Sequence, residues 1–175
     1  MKKSILIIIV LSFTLQLNGQ ELFTVPEKTL EQKYTKMIKF NWINIVTAIR
    51  FAKTQGLSPY EYGQFVGSLY ARGRDKDSGF IGYAQGFLRN WEYHRPDSEP
   101  AIIIEFESDN MLVFKVPSSI MVKPFGDDGL MCGVSIDEML DMMNGSHSQI
   151  SKKLGCTSKM VLKDEWIVIT ISELE

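Results

Sequence analysis

The sequence has few of the side chains that proteins most often use for catalysis or for binding metals. Its 175 residues include two histidines, His94 and His147, and two cysteines, Cys132 and Cys156. Neither histidine has further ligands at the spacing of a metal site, and two cysteines are too few for a structural zinc site. The chain also lacks a phosphate-binding loop, a dinucleotide-binding motif and the Gly-x-Ser-x-Gly motif of many hydrolases. We therefore predict no metal, no cofactor and no catalytic residue.

Long apolar runs and an excess of positive charge are missing as well. After residue 20, no apolar run reaches the length of about 18 residues that a membrane-spanning helix needs. Acidic residues outnumber basic ones, 21 to 19, which argues against non-specific binding to nucleic acid or to an anionic membrane. We expect no nucleic-acid partner and no membrane span in the mature chain.

The start of the chain has the pattern of a cleavable export signal. Lys2 and Lys3 precede an apolar stretch of about a dozen residues, and a polar segment with the small Gly19 follows it. A helix of that length spans only about 18 Å, which is too short to cross a membrane. We predict that residues 1–20 are a signal peptide that is removed, and that residues 21–175 form one soluble domain. The protein would then be bacterial, and either periplasmic or secreted.

The two cysteines bear on this prediction because an oxidising compartment favours disulfides. A bond between Cys132 and Cys156 would close a loop of about 25 residues and contribute roughly 3 kcal/mol. Two free thiols that pack as small apolar side chains are the alternative, since sequence spacing does not give the Cα separation. Both interpretations stay open on the sequence.

The first half of the mature chain has helical periodicity. Apolar residues recur every three or four positions over about residues 27–55, and Gly56 suits the left-handed position after a helix end. A capping box at residues 58–61 starts a second helix, which ends near Gly73. A third helix is predicted over about residues 78–93.

Glycines are frequent in the second and third of these helices. Each interior glycine costs about 1 kcal/mol relative to alanine, so something has to offset that cost. The pairs Gly63/Gly67 and Gly82/Gly86 each leave a flat strip on one helix face. We favour close backbone packing against these strips over a bound ligand that fills them.

The second half of the chain changes to the alternation of strands. Two hairpins are predicted, and the last strand is expected to be central and covered on both faces. Between them, a capping box at residues 135–138 starts another helix, which is expected to break near Gly145. The fold class is therefore α+β, with an N-terminal three-helix layer packed on an antiparallel β-β-α-β-β sheet. The four strand runs are residues 101–107, 111–116, 157–162 and 165–172.

The candidate binding residues lie in and around the connector between the second and third helices. Its two arginines stand among aromatic side chains, a combination that suits a carboxylate or phosphate group held over an apolar slot. The ligand class that this pattern favours is an apolar small molecule with an anionic head group. The candidate residues are Tyr62, Tyr70, Arg72, Arg74, Tyr83 and Trp91.

Three functions remain open on the sequence. The leading hypothesis is a non-enzymatic, exported binding or interaction protein for an unknown small molecule. The first alternative is a hydrolase of unrecognised type that uses Cys132 or His94, although His94 is better explained as a cation at a helix end. The second alternative is a subunit of a cell-envelope complex that uses the long first helix as its partner surface. His147 is expected to be a solvated loop residue.

Overall fold

The computed structural model describes residues 28–95, 99–122, 125 and 128–174. The chain divides into two compact units, Met1–Tyr34 and Thr35–Glu175. The predicted signal peptide, residues 1–20, lies outside the described residues. In the first unit, Thr29 caps the start of the first helix. Its hydroxyl accepts from the N–H of Gln32 at 3.2 Å, and the Gln32 side chain accepts from the N–H of Thr29 at 3.1 Å.

The predicted helices and strands are all present, with ends within about three residues of expectation. The Ser58 and Ser135 hydroxyls each complete the expected capping box. The structure also contains a short helix and a small hairpin that the sequence does not predict, because each has too few residues to show a periodic pattern. In chain order the elements are α1 (Leu30–Thr54), α2 (Pro59–Arg72), a 3-10 turn (Lys76–Ser78), α3 (Gly79–His94), β1 (Ile103–Glu107), β2 (Met111–Pro117), α4 (Ser119–Val122), β3 (Leu130–Met131), β4 (Val134–Ser135), α5 (Ile136–Lys153), β5 (Cys156–Lys163) and β6 (Trp166–Glu173).

Four strands form one antiparallel sheet in the order β1-β2-β6-β5. The inner face of the sheet packs against the helices, and the buried apolar side chains form one cluster that includes Val46 of α1, Phe87 of α3 and Phe114 of β2. The α+β prediction, with N-terminal helices packed on an antiparallel sheet, is confirmed.

The two faces of the central strand β6 differ in burial. Ile167 and Ile169 are completely buried, whereas Trp166, Val168 and Thr170 on the outer face are only partly buried. The prediction that this strand is covered on both faces is therefore wrong. One face of an antiparallel sheet commonly remains towards solvent, and the apolar residues on this outer face obscured that pattern.

Helix α5 is continuous through Gly145, so the predicted break does not occur. Gly145 lies against the backbone of α2, where a methyl group would overlap the carbonyl of Tyr60. On the facing side, a methyl group at Gly63 would overlap Met142, and one at Gly67 would overlap Ser146. Close backbone packing is thus confirmed for the first glycine strip, and it offsets the helical cost of these glycines.

The second glycine strip has no such packing. Among the described residues, no atom lies within 4 Å of a methyl group placed at Gly86, and a methyl group at Gly82 would meet only the Ser78 side chain. The expectation of a close helix contact at this pair is wrong.

None of the helices in the described residues is both long enough and apolar enough to cross a membrane.

Candidate functional site

The ends of two helices meet at one point on the surface. Gly63 faces Met142, and Gly67 faces Ser146 four residues further along, so α2 and α5 run in the same direction. Their C-terminal ends therefore lie side by side. A helix C-terminus carries roughly half a negative charge, which favours cations in the last turn. Arg72 ends α2, and Lys152 and Lys153 end α5.

A shallow surface cleft, open to solvent and with a volume of about 470 Å³, lies between these two helix ends. Its walls come from α2, from α5 and from the 3-10 turn, which adds Lys76. Four of the seven lining side chains are cationic and none is acidic. The lining residues are Ser68, Ala71, Arg72, Lys76, Gln149, Lys152 and Lys153. We call this site the basic cleft.

The positive charge of the basic cleft exceeds what the helix ends require. Two helix C-termini together supply about one negative charge, against four cationic side chains. In the described part of the chain, no salt bridge joins any of the four to a carboxylate. Asp75 and Asp77 flank Lys76 in sequence, but neither lines the cleft, and Asp75 caps the 3-10 turn by accepting from the N–H of Asp77 at 3.1 Å. An anion would therefore be attracted to this cleft.

Of the residues predicted from sequence, Arg72 is the one that lines the basic cleft. Arg74 lies two residues further on and is exposed, as is Tyr70, whose side chain is 64% exposed. Tyr62 is partly buried against the core. Both predicted arginines are therefore exposed at the surface, whereas Tyr62 is partly buried.

Tyr83 and Trp91 belong to the core. Trp91 is only 3% exposed, and Tyr83 packs edge-on against Phe87 with ring centroids 5.6 Å apart. Tyr62, Tyr70, Tyr83 and Trp91 are not among the residues that line the basic cleft.

The Tyr83 side chain instead takes part in a buried polar cluster. Its hydroxyl lies 3.0 Å from Nδ1 of His147 and 3.1 Å from the hydroxyl of Ser158. Burial lowers the pKa of His147 to about 4, with the positive charge of Arg74 acting in the same direction. Burial also raises the pKa of the Tyr83 hydroxyl. Both groups are therefore neutral near pH 7, and we assign the cluster a role in packing the core.

The prediction that His147 is a solvated loop residue is wrong. His147 lies within α5, and its ring stacks edge-on against Phe87 with centroids 4.2 Å apart. Its spacing from Met143 and Ile150 matches the helical stripe of the same segment, which is the signal that identifies it as inward-facing. The sequence does not indicate that Gln149, Lys152 and Lys153 line the cleft. Their position there depends on the α2–α5 contact, which no local pattern predicts.

The two cysteines are free thiols in the structure, which corresponds to the second of the two interpretations that the sequence leaves open. Cys132 is exposed in the turn between β3 and β4, where its carbonyl accepts from Nη1 of Arg50 at 3.1 Å. Cys156 begins β5 with its side chain in the core, and burial raises its pKa. One thiol therefore faces solvent while the other lies beneath the sheet.

His94, the other residue of the hydrolase alternative, stands in the last turn of α3. Its Nδ1 lies 2.7 Å from the carbonyl of Asn90, one helical turn earlier. The side chain therefore forms a hydrogen bond within its own helix, and its place in the last turn is the position where the helix dipole favours a cation. Across the described ranges, no group of three or more histidine, cysteine or carboxylate side chains is arranged to hold a metal ion.

Comparisons with protein-family models, with curated proteins and with solved structures found no match to this chain. The chemistry of the basic cleft is therefore the main guide to function.

Proposed function

We propose that this chain is an exported binding protein and that it holds a small anionic molecule in the basic cleft. The observation that carries the proposal is the meeting of four cationic side chains from three separate elements around one cavity without an acidic partner. Like charges held together repel each other, and a bound anion removes that repulsion.

The size and chemistry of the cleft narrow the ligand class. The volume of about 470 Å³ has room for a small molecule, and because the cleft is open to solvent, ionic contacts and not enclosure would hold the ligand. Arg72 offers a planar fork that pairs with two oxygens of a phosphate or carboxylate, while the lysines act as point charges. Ser68 and Gln149 add neutral hydrogen-bonding groups to the wall. We infer a ligand with at least two negative charges, of the polyphosphate or polycarboxylate class.

Pyrophosphate and citrate are suitable probes, titrated separately by calorimetry into the chain without its first twenty residues. We expect binding of at least one of them, and we expect it to weaken as sodium chloride is added because the contacts are ionic. Arg72→Ala and Lys152→Ala should each reduce the affinity about tenfold, which is the loss of one charge-assisted contact. Lys39→Ala, which removes an exposed lysine of α1, is the matched control and should leave binding unchanged.

Two results would contradict the proposal. One is the absence of binding by either probe at low salt. The other is binding that falls equally in the Lys39→Ala control, since that would reflect the net charge of the chain and not the cleft.

A second candidate function is that of a subunit in a cell-envelope complex, and one feature of α1 favours it. Met37, Phe40 and Phe51 lie on one face of the helix, opposite the face that buries Val46 and Ile49. Phe40 is 61% exposed and Phe51 is 66% exposed, which is unusual for phenylalanine on a monomeric surface.

Sedimentation velocity over a range of concentrations tests whether copies of the chain assemble through this face. A sedimentation coefficient that rises with concentration, and that no longer rises after Phe40→Ser and Phe51→Ser, would support such an assembly. A constant monomeric value for the unmodified chain would count against it.

A further inference from the structure

Strand β1 leaves one edge of the sheet open. It stands at the end of the strand order, and all residues of Ile103–Glu107 are exposed. The N–H of Ser108 donates to the carbonyl of Met111 at 2.8 Å and closes the β1–β2 hairpin. Because hydrogen-bonded and non-hydrogen-bonded pairs alternate along antiparallel strands, the next pair, Glu107 with Leu112, is of the second kind. The backbone N–H and C=O of Glu107 therefore point away from the sheet.

An apolar groove runs beneath this open edge, between β1 and α3. Its cavity measures about 90 Å³, which is the volume of roughly three water molecules and enough for part of one aliphatic side chain. Ile81 of α3 and Ile104 of β1 border it and are 54% and 50% exposed. The apolar lining consists of Phe80, Ile81, Ala84, Leu88, Ile104 and Leu112.

The charge at the groove is negative. Glu107 contributes to the lining, and no salt bridge reaches its carboxylate from any residue in the described ranges. Glu105 is already paired with Lys115 at 3.0 Å, and Asp109 in the adjoining turn is exposed. A cation on a bound partner would complement Glu107.

We propose that an extended segment of another protein adds to the free edge of β1 as a further strand of the sheet. The segment places an apolar side chain in the groove beside Ile104 and a lysine or arginine beside Glu107. The register of β1 shifts between Ile104 and Phe106, as at a β-bulge, whereas β2 is regular. The β2 residues opposite Ile104 and Glu107 are Phe114 and Leu112, which are two positions apart. A regular partner strand therefore carries the apolar residue and the cation with one residue between them.

A second copy of this chain fits the groove poorly. Strand β5, the other edge of the sheet, already buries Cys156 and Met160 in its own core, so these side chains are not free to enter the groove. Pairing β1 with β1 of a second copy would bring the Glu105 and Glu107 carboxylates of both copies close together, and like charges on adjacent strands destabilise pairing. A separate segment with a cation avoids both problems.

The test uses a fluorescent peptide of about eight residues in which valine and threonine alternate. A lysine replaces one central valine, so that one threonine separates it from the nearest valine. A second peptide has glutamate in place of that lysine. Fluorescence anisotropy gives the affinities, and ¹⁵N–¹H shifts of the chain locate the contact. We expect the lysine peptide to bind about tenfold more tightly than the glutamate peptide, with the largest shifts over Ile103–Glu107.

Two variants change the groove without touching the core. Ile104→Thr should weaken binding of the lysine peptide about fivefold, because it removes apolar contact area at a half-exposed site. With Glu107→Gln, the affinities of the lysine peptide and the glutamate peptide should differ by no more than about twofold. Val161→Thr on β5 and Glu165→Gln are the matched controls and should behave like the unmodified chain. Circular dichroism confirms that each variant is folded.

Several outcomes would overturn the proposal. They are no binding of the lysine peptide, binding that neither groove variant alters, or shifts centred on β5. Self-association of the chain that Ile104→Thr abolishes would identify a second copy as the occupant and would also overturn it.

Discussion

The hydroxyl of Tyr83 lies 3.0 Å from Nδ1 of His147 and joins α3 to α5 inside the core. The hydroxyl has a single proton, so it donates to one of its two partners, His147 or Ser158, and accepts from the other. A charged imidazole at this position would lose its hydration without gaining an anionic partner, which is why its pKa is lowered to about 4. This arrangement makes stability sensitive to pH.

We predict that the free energy of unfolding falls by about 1–2 kcal/mol between pH 7 and pH 5. The folded pKa of His147 is about 4, below the usual value of 6.5, so the unfolded chain takes up the proton first. This stability is fully present above pH 6.5 and is lost as the pH falls towards 4. Urea unfolding at each pH measures it. His147→Gln should remove the slope, whereas His94→Gln should retain it; a slope that survives His147→Gln would contradict the assignment.

Tyr83→Phe removes the shared hydroxyl and leaves Nδ1 of His147 without this partner. We expect a loss of about 1–3 kcal/mol in the free energy of unfolding, which is the cost of an unsatisfied buried polar group. Tyr70→Phe is the control, because Tyr70 is 64% exposed on α2. Equal stability of the two variants in chemical denaturation would show that the cluster contributes little.

The elements that the sequence predicts well are those with local signals. Ser58 and Ser135 begin their helices because each hydroxyl accepts from a backbone N–H three residues later, and this depends on four neighbouring residues only. The sequence wrongly predicts a helix break at Gly145, because the contact that offsets the helical cost of this glycine is not local. The backbone of Tyr60, more than eighty residues earlier, fills the space that a side chain would take.

This contrast between glycines gives a third stability prediction. Gly67→Ala should destabilise the chain by about 3 kcal/mol, because the added methyl group meets the backbone of Ser146 and one helix has to move. Gly86→Ala should stabilise it by up to about 1 kcal/mol, since the position is helical and no described residue lies within 4 Å of the new methyl group. Thermal unfolding of both variants is the measurement. The same sign of change in both would contradict this account of the α2–α5 contact.

The basic cleft shows that the site, like the fold, can be predicted from the sequence only where the signal is local. Arg72 was predicted because the connector is rich in charge, but the cleft exists only because α5 ends beside α2. Lys152 and Lys153 have the ordinary sequence pattern of a helix C-terminus. Conversely, the aromatic character that makes Tyr83 and Trp91 candidates for a binding site equally suits the core positions that they occupy.

Thiol reactivity tests the placement of the cysteines. With Ellman's reagent the folded, unreduced protein should react rapidly at Cys132 alone, because Cys156 is buried and its pKa is raised. Denaturation should expose the second thiol. Cys132→Ser should abolish the rapid reaction, and Cys156→Ser should leave it unchanged. If the denatured, unreduced protein showed no reactive thiol, the two cysteines would be joined after all.

The last prediction concerns the stability of the chain when the basic cleft is filled. A ligand that binds only the folded state stabilises it by about 2.7 kcal/mol at a concentration one hundred times its Kd. Pyrophosphate should therefore raise the melting temperature more than sodium chloride of equal ionic strength does, since the chloride only screens the four cationic side chains. In an Arg72→Ala, Lys152→Ala double variant this difference should disappear, whereas Lys39→Ala should keep it. If both salts raised the melting temperature equally in the unmodified chain, screening alone would account for the effect, and the cleft would have no preference for a multivalent anion.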